Sequence, residues 1–359
     1  MPGNLSFSEP SFGTGNVFFN KSEFNNGDID FEHTDFGKGS VFFQDCKFGN
    51  GDISFNNAIL SDGRMVFARS IFCNGKIDFE RTTFTNCSVD FDRTFLGNGN
   101  FSFQKSTVDG SFDFTNVTVG VGSYNFEKTD FKNRVSFSGL SNTESLEQLS
   151  FKYSNFEKSL DISGNFNFVI DLTNIKITNQ VSVANLKCKL NRTNGICRKA
   201  IDPVDATRFR RLKEISDSNK NHEKALYFHA QEMKAKRWHE IGFFPSLLDK
   251  SFSAICDYGS NISRPFIALI ANIFLFSLIY SHLPKIKSSS FWDALIFSAS
   301  NSFSFIPISR GARNTGLEIL FGGNGEYGYW IYSIIGLQSI LSLTFIFLIG
   351  LGLRNRFRI

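Results

Sequence analysis

Residues 15–26 read GNVFFNKSEFNN and residues 27–38 read GDIDFEHTDFGK, and this pattern decides the fold of the first half of the chain. Each segment has a glycine, then an apolar residue, a phenylalanine, a small residue and a second apolar residue at the same offsets. Working outward, the first phenylalanine recurs at a fixed step of twelve residues. Its positions are Phe7, Phe19, Phe31, Phe43, Phe55, Phe67, Phe79, Phe91 and Phe103. Such a repeat indicates units that bury their apolar faces against one another.

The spacing within each unit predicts short strands joined by corners. Val17 and Phe19 are two residues apart, so on a strand they share one face. The glycines and the Asn and Asp residues fall between such pairs, where we expect corners with positive φ. A series of small residues fits crowded inward corners: Ser22, Thr34, Cys46, Ala58, Ser70, Thr82 and Thr94. Because helical periods are missing, the units predict a β-solenoid with internal stacks of phenylalanine.

The alternating steps of seven and five residues resemble the pentapeptide-repeat family, in a Phe-rich variant with a twelve-residue repeat. The resemblance covers residues 3–137 and implies a right-handed β-solenoid. One coil then holds either one or two units, and we expect two, in a four-sided coil. The phase slips by one residue at Phe114. Over residues 138–190 the pattern degrades, which predicts irregular capping coils that complete a solenoid domain of residues 1–190.

Residues 191–242 change in character and predict a connector. Apolar residues at helical spacing occur in residues 207–216, and a second helical run covers residues 222–239. The two runs predict a helical hairpin rich in Arg and Lys. Helical connectors of this kind occur in chains that join pentapeptide repeats to membrane segments, so the resemblance extends weakly to this region.

The histidines of the connector raise the question of a metal site. His229 and Glu232 could share a helix face as ligands, but a solvated polar face is the simpler interpretation, and we expect no metal and no cofactor. We also find no nucleophile–base constellation and expect no enzymatic activity. Residues 243–264 mix apolar and polar residues near helical spacing, which predicts an interfacial helix.

Two uncharged apolar runs predict membrane crossings over residues 265–284 and 329–353. A helix of twenty residues spans about 30 Å, the thickness of the hydrocarbon core. The second run is followed by basic residues, Arg354, Arg356 and Arg358. Two buried core helices of a soluble protein are the alternative. The N-terminus shows no secretory signal, so we expect a two-pass protein of the cell (inner) membrane with both termini in the cytoplasm.

Residues 291–305 are apolar and helical in pattern but too short to cross, which predicts a re-entrant helix between the crossings. Phe291-Trp292-Asp293-Ala294-Leu295-Ile296-Phe297-Ser298 resembles the pore helix of two-transmembrane potassium-channel-like pores. This second resemblance covers residues 250–359. The family's Thr-Val-Gly-Tyr-Gly filter would fall on residues 304–308, where both glycines are replaced. Potassium selectivity therefore does not carry over, although the scaffold does.

The candidate pore residues follow from that alignment. At the narrow end and the outer mouth we expect Asn301, Ser302, Phe303, Ser304, Phe305, Ile306, Pro307, Arg310 and Arg313. The two arginines would favour anions, or else contact lipid phosphates. One face of the second crossing would line a vestibule: Ile335, Gln338, Ser339, Ser342, Ile346 and Ile349. Its polar members could instead bond between helices.

Composition and charge exclude several classes of protein. With 42% hydrophobic and 20% charged residues the chain is not disordered, and six cysteines in 359 residues do not make a disulfide scaffold. The net charge of +4 is too small to indicate a nucleic-acid partner. It divides into −5 for residues 1–190 and +9 for the rest. A rod of −5 with interspersed basic residues does not suit a DNA mimic either.

Two functions remain. The first is an oligomeric membrane pore that is non-selective or prefers anions. The resemblance to two-transmembrane pores implies a homotetramer. A cytoplasmic solenoid that binds a protein or ligand would regulate the pore. A triggered pore in bacterial defence against phage would suit such a fusion. The second is a non-conducting, membrane-anchored scaffold for protein binding. The lipid bilayer and further copies of the chain are the expected partners, and nucleic acid is not.

Overall fold

The computed structural model describes residues 3–7, 9–195, 197–283, 290–322 and 328–357. The chain divides into two compact units, Met1–Gly242 and Phe243–Ile359, and each is described by itself. The last residue of the first expected crossing, Pro284, and the last basic residue of the tail, Arg358, lie outside the described residues.

The first unit consists of strands of two or three residues. They are β1 Leu5–Ser6, β2 Val17–Phe18, β3 Ile29–Asp30, β4 Val41–Phe42, β5 Lys47–Phe48, β6 Ile53–Ser54, β7 Ile59–Ser61, β8 Arg64–Val66, β9 Ile71–Phe72, β10 Ile77–Asp78, β11 Thr83–Thr85, β12 Ser88–Asp90, β13 Phe95–Leu96, β14 Phe101–Ser102, β15 Thr107–Val108, β16 Phe112–Asp113, β17 Ser123–Asn125, β18 Asp130–Phe131, β19 Val135–Phe137, β20 Gln148–Ser150, β21 Asn155–Phe156, β22 Leu160–Ile162, β23 Gly164–Phe166, β24 Lys176–Ile177, β25 Val181–Ser182 and β26 Leu186–Cys188. All pair in parallel with the strand one coil away, in sheets of seven, six, eight, three and two strands. The first unit therefore contains the predicted β-solenoid, which has about eight coils.

Each early coil contains 24 residues and has four sides. On one side the partners one coil apart are Leu5, Ile29, Ile53, Ile77 and Phe101. The expectation of two twelve-residue units per coil is thus confirmed. Four ladders run along the early coils, which makes them four-sided.

The later coils differ in length but stay in the stack. Val89 pairs with Phe112, 23 residues ahead, so the slip near Phe114 is one shortened coil. The next coil is longer, since Tyr124 pairs with Leu149. Strand pairing continues to β26. Residues 138–190 therefore belong to the ladder itself, and the surface beyond them is covered by helices.

Phenylalanine rings fill the interior in columns. The ring of Phe67 stacks on Phe43 and Phe91 at centroid distances of 5.0 and 4.8 Å. It meets Phe55 and Phe79 of the neighbouring column edge-on at 5.8 and 5.9 Å. All five are fully buried. Each buried ring contributes about 1.5–3 kcal/mol, so the predicted stacks form the core.

The small residues at the inward corners form a second column. The hydroxyl of Thr82 donates to the Phe55 carbonyl at 2.8 Å, and that of Thr94 to the Phe67 carbonyl at 3.0 Å. Each bond joins neighbouring coils and satisfies a buried polar group. The position therefore needs a small residue, and in most coils that residue also donates a hydrogen bond to the coil before it.

Most of the glycines that begin the units, such as Gly27, Gly51 and Gly75, do not have the expected positive φ, although Gly122 does. Positive φ occurs at the residue before the small corner residue, for example His33, Asp45 and Arg69. The glycine of the unit is needed for space instead. A Cβ on Gly75 would lie 1.9 Å from the carbonyl oxygen of Gly51 in the previous coil. Close approach of neighbouring coils thus excludes a side chain at this position.

Two helices follow the last coil, α1 at Asp205–Ser218 and α2 at His222–Lys236. They pack on each other, and their apolar residues join the solenoid core. Side chains of α2 close the open edge of β26, because the Lys224 ammonium donates to the Leu186 carbonyl and the Tyr227 hydroxyl to the Cys188 carbonyl, both at 2.9 Å. The hairpin is therefore the cap of the solenoid.

A buried carboxylate joins the two helices. Glu232 is 2% exposed and accepts from Arg210 and Lys213 of α1, each at 3.1 Å, and from Lys236 of α2. Burial alone would raise the pKa of Glu232, but the hydrogen bonds from His229, Lys236, Arg210 and Lys213 outweigh it and hold the pKa well below its usual range. Cations thus surround Glu232, the carboxylate that a metal site with His229 would need. Among the described residues no cluster of three or more His, Cys, Asp or Glu side chains could hold a metal ion.

Glu232→Gln is expected to destabilise the first unit by about 3 kcal/mol, because it leaves partly buried cations without their counter-charge. A carboxylate with a lowered pKa contributes stability above its ordinary pKa of 4.5 and loses that contribution as the pH falls. The difference between wild type and variant should therefore be constant from about pH 7 to about pH 5 and shrink in stronger acid. Thermal unfolding followed by circular dichroism measures it.

Glu223 of α2 is exposed and provides the control. Glu223→Gln should leave the unfolding midpoint nearly unchanged, since a solvated carboxylate contributes little. Equal effects of the two substitutions would show that the hydrogen bonds of Glu232 do not hold α1 and α2 together.

The second unit is helical. Its helices are α3 Phe243–Cys256, α4 Ser263–His282, α5 Phe291–Ser302, α6 Ser309–Phe321 and α7 Tyr329–Arg356. A short 3-10 turn at Asp257–Gly259 separates α3 from α4. The helix α3 exposes Phe243, Phe244 and Leu248, an apolar surface typical of an interfacial helix.

Candidate functional site

Helices α4 and α7 are long and apolar enough to cross a membrane. In their most apolar stretches only 33% and 17% of the residues are buried. Large apolar side chains such as Phe266, Phe274, Leu343 and Phe347 are exposed. A core helix of a soluble protein is mostly buried, so the alternative of two core helices does not account for these surfaces.

The helix α5 is short and has a capped N-terminus. Its first turn has a capping box, in which Asp293 accepts from the backbone of Ser290 at 2.8 Å and the Ser290 hydroxyl accepts from the backbone of Trp292. Twelve residues rise about 18 Å, which is too short to cross the hydrocarbon core. The Asp293 used in the alignment with pore helices thus acts here as a cap.

The last turns of α5 lie beside the interior of both long helices. The Ser298 hydroxyl donates to the carbonyl of Ile273, the eleventh of the twenty residues of α4, at 2.7 Å. Gln338, about 14 Å along α7, donates to the Ser298 carbonyl at 2.9 Å and to the Ser302 hydroxyl at 3.1 Å. The polar end of α5 therefore reaches the middle of the apolar pair.

These bonds belong to a buried polar cluster. The Tyr280 hydroxyl donates to the Gln338 side-chain oxygen at 3.0 Å, and the Asn272 amide donates to the Ser342 hydroxyl at 2.8 Å. The Ser339 hydroxyl donates to the Asn301 carbonyl at 3.2 Å. Of the two alternatives for Gln338, Ser339 and Ser342, the contacts within the chain are those of bonding between helices.

Asn301 differs from the rest of the cluster. Its side chain is fully buried beside the Tyr280 hydroxyl, and neither its amide nitrogen nor its amide oxygen makes a hydrogen bond of normal geometry. A buried amide without partners is costly, and in native proteins it marks a functional position or a site for water. The sequence singled out Asn301 as polar but could not show that its partners are missing.

The segment aligned with the filter is a turn between α5 and α6. Phe303 and Ser304 are half-buried, and Phe305, Ile306, Pro307 and Ile308 are exposed. The bend is closed by the Ser309 hydroxyl, which donates to the carbonyls of Phe303 and Ile306. The chain thus reverses here.

The region after the turn, for which the sequence analysis gave no helix, is the helix α6. Arg310 and Arg313 lie on its first two turns, with Arg310 exposed and Arg313 half-buried. The helix packs back on α5, where a Cβ on Gly316 would come within 2.7 Å of the Phe297 ring. Leu320 is buried with Phe297 in the same apolar cluster.

The sequence of α6 carries a helical pattern. Leu317, Leu320 and Phe321 have helical spacing, and the first and last of them pack on the cluster that contains Leu320. The isoleucines expected in the vestibule, Ile335, Ile346 and Ile349, are half-buried on α7, and Ile335 contacts the same cluster. Helices α5 and α6 together form a helical hairpin against α4 and α7.

Comparisons of the chain with protein-family models, with curated proteins and with solved structures find no match. The resemblances to pentapeptide repeats and to two-transmembrane pores therefore stay predictions from the sequence.

Proposed function

We propose that this chain is one subunit of an oligomeric membrane pore and that its β-solenoid regulates the pore. In this proposal α4 and α7 cross the bilayer, and the hairpin of α5 and α6 enters it from one side and returns. One such unit encloses no channel, so several copies are required, about four by the resemblance. The solenoid and the end of α7 lie on the cytoplasmic side.

The contact of the α5 end with the interior of α4 and α7 carries the proposal. A helix that is too short to cross, followed by a turn at that depth, places non-helical backbone inside the bilayer. Such backbone is tolerated only where it is buried in protein or lines water. The exposed segment of residues 305–308 favours an assembly in which neighbouring subunits or a lumen complete its environment.

Charge at the same place supports a preference for anions. Arg310 is exposed near the turn, and Arg313 follows one turn later on α6. An arginine at membrane depth faces an aqueous cavity or another subunit rather than lipid chains. Rings of arginine at a constriction favour anions over cations.

The test is the conductance of purified full-length protein in planar bilayers. Wild type should give current, and Ser304→Trp should abolish it, because a bulky ring at the half-buried turn fills the proposed constriction. Phe347→Trp, on an exposed apolar surface of α7, is the control and should leave the current intact.

The ionic preference is measured in the same experiment from the reversal potential in a potassium chloride gradient. The proposal expects chloride to be favoured and the preference to weaken in the double variant Arg310→Gln/Arg313→Gln. Equal currents from wild type and Ser304→Trp would contradict the assigned constriction. No current under any condition would favour the non-conducting membrane-anchored scaffold.

A further inference from the structure

A cleft of about 530 Å³ lies in the first unit, between the last coils of the solenoid and α2. Its size is in the range of small-molecule sites. The solenoid wall consists of outward residues from successive coils, since Asn165 pairs with Lys187 one coil later. Its polar lining includes Glu144, Asn165, Lys187, Lys189, Tyr227 and Gln231.

Two lysines dominate the solenoid wall. Leu186, Cys188 and Leu190 are buried, so the alternation of the strand turns Lys187 and Lys189 to the same outward side. Both lysines are exposed, and neither forms an ion pair with any residue in the described part of the chain. Glu144 is the one carboxylate among the described lining residues.

Positive charge extends to the neighbouring residues. Burial lowers the pKa of Lys224, the charge of Lys187 lowers it further, and the charge of Glu223 acts in the opposite direction. An adjoining cleft of about 440 Å³ shares Lys189 and Arg192 and adds Arg198. The positive surface thus continues beyond the first cleft.

The walls are held in place by hydrogen bonds. The Asn167 amide donates to the Glu144 carbonyl at 3.0 Å, and the Asn191 amide donates to the Asn167 carbonyl at 2.8 Å. On the opposite side the Tyr227 hydroxyl is fixed on the Cys188 carbonyl. The cleft is therefore preformed, which lowers the entropy cost of binding.

We propose that this cleft binds a phosphate-bearing small molecule, with the ammonium groups of Lys187 and Lys189 on the phosphate oxygens and the half-buried ring of Tyr227 beside the rest of the ligand. Lysine suits phosphate as a compact charge with three donors. The amides of Asn165 and Gln231 supply neutral hydrogen bonds. Binding of the ligand does not depend on the pore. Only the consequence of binding, control of the pore through the hairpin of α1 and α2, rests on the proposed function.

The test uses full-length protein in nanodiscs of neutral lipid, with pyrophosphate and ATP as probes. Thermal shift and isothermal titration should show binding to wild type. The double variant Lys187→Ala/Lys189→Ala should bind at least about tenfold more weakly, because two charge-assisted bonds are lost. Lys158→Ala removes an exposed lysine outside the cleft and should bind like wild type.

A second arm distinguishes the two sources of phosphate. If neither probe binds but nanodiscs with phosphatidylglycerol stabilise wild type and not the double variant, the phosphate is that of a lipid headgroup. If no probe or lipid has an effect, or if the double variant responds like wild type, the site does not exist. Lys187→Gln/Lys189→Gln repeats the measurement with side chains that keep more of the packing. Because binding is read without current, a failure here is separate from a failure of the pore.

Discussion

Gly75→Ala is expected to be among the most damaging substitutions in the chain, although it adds one methyl group. The new Cβ would lie 1.9 Å from the carbonyl oxygen and 2.6 Å from the carbonyl carbon of Gly51. Both partners are backbone, so no side chain can move aside. The coils must separate locally and lose ladder hydrogen bonds, which we expect to destabilise the solenoid by about 3 kcal/mol or more.

Gly15→Ala is the matched control. Gly15 begins the same repeat unit as Gly75, but a Cβ there would have nothing within 4 Å. An alanine where the backbone tolerates it restricts the unfolded chain and is neutral or slightly stabilising. Thermal unfolding of the full chain, followed by far-UV circular dichroism, should separate the two variants clearly. Similar midpoints would show that glycine is not required by the spacing of the coils.

Phe67→Ala is the second substitution with a large expected effect. The ring has no exposed surface and contacts five other rings, two stacked, two edge-on and one tilted. Its removal leaves a cavity in an interior that cannot collapse, since the coil spacing is set by the backbone ladders. Loss of a buried phenylalanine destabilises a protein by about 3–5 kcal/mol, and we expect a value in that range.

Phe18→Ala controls for the loss of an aromatic ring in general. Phe18 is 63% exposed and stacks on Phe42 on the outside of the solenoid. Its removal should change the unfolding midpoint by much less than Phe67→Ala. The quantity to compare is the midpoint of denaturant unfolding, and equal midpoints for the two variants would contradict a core made of phenylalanine columns.

The two substitutions bear on function because the solenoid holds the cap and the cleft. Repeat proteins unfold through contacts between neighbouring units, so damage at one coil spreads along the stack. The Lys187 side of the cleft belongs to the last strand of that stack. We therefore expect Phe67→Ala to weaken the cap as well, and binding to the cleft should be compared only among variants with unchanged unfolding.

The backbone conformation at the corners of the solenoid does not follow from residue type alone. Glycine, asparagine and aspartate adopt positive φ easily, and Asp45 and Asn57 do so here, yet His33 and Arg69 adopt it at the same corner position. In each case the buried small residue that follows and the strand ladders on either side fix the backbone conformation of the corner. Propensity is a weak preference, and tertiary contacts override it.

The second unit shows the same limit. The two apolar helices could be read from length and composition, and the short helix α5 from its apolar pattern and its Ser290–Asp293 cap. The helix α6 was missed, because its first half is polar and its apolar residues acquire meaning only against Phe297. Whether Gln338 faces a lumen or a neighbouring helix likewise depends on Ser298 and Tyr280, which are distant in the chain.

By itself the amino-acid sequence determined the twelve-residue period and the two apolar helices, because these follow from spacing and composition within short stretches. The choice between one and two units per coil needed the pairing of the strands. Only the tertiary structure decided why glycine is required at Gly75, that α1 and α2 close the solenoid, that α6 returns along α5 and that a basic cleft lies beside Lys187. The physical reason is that these features arise from contacts between segments far apart in the chain, and the distances between such segments are set by packing.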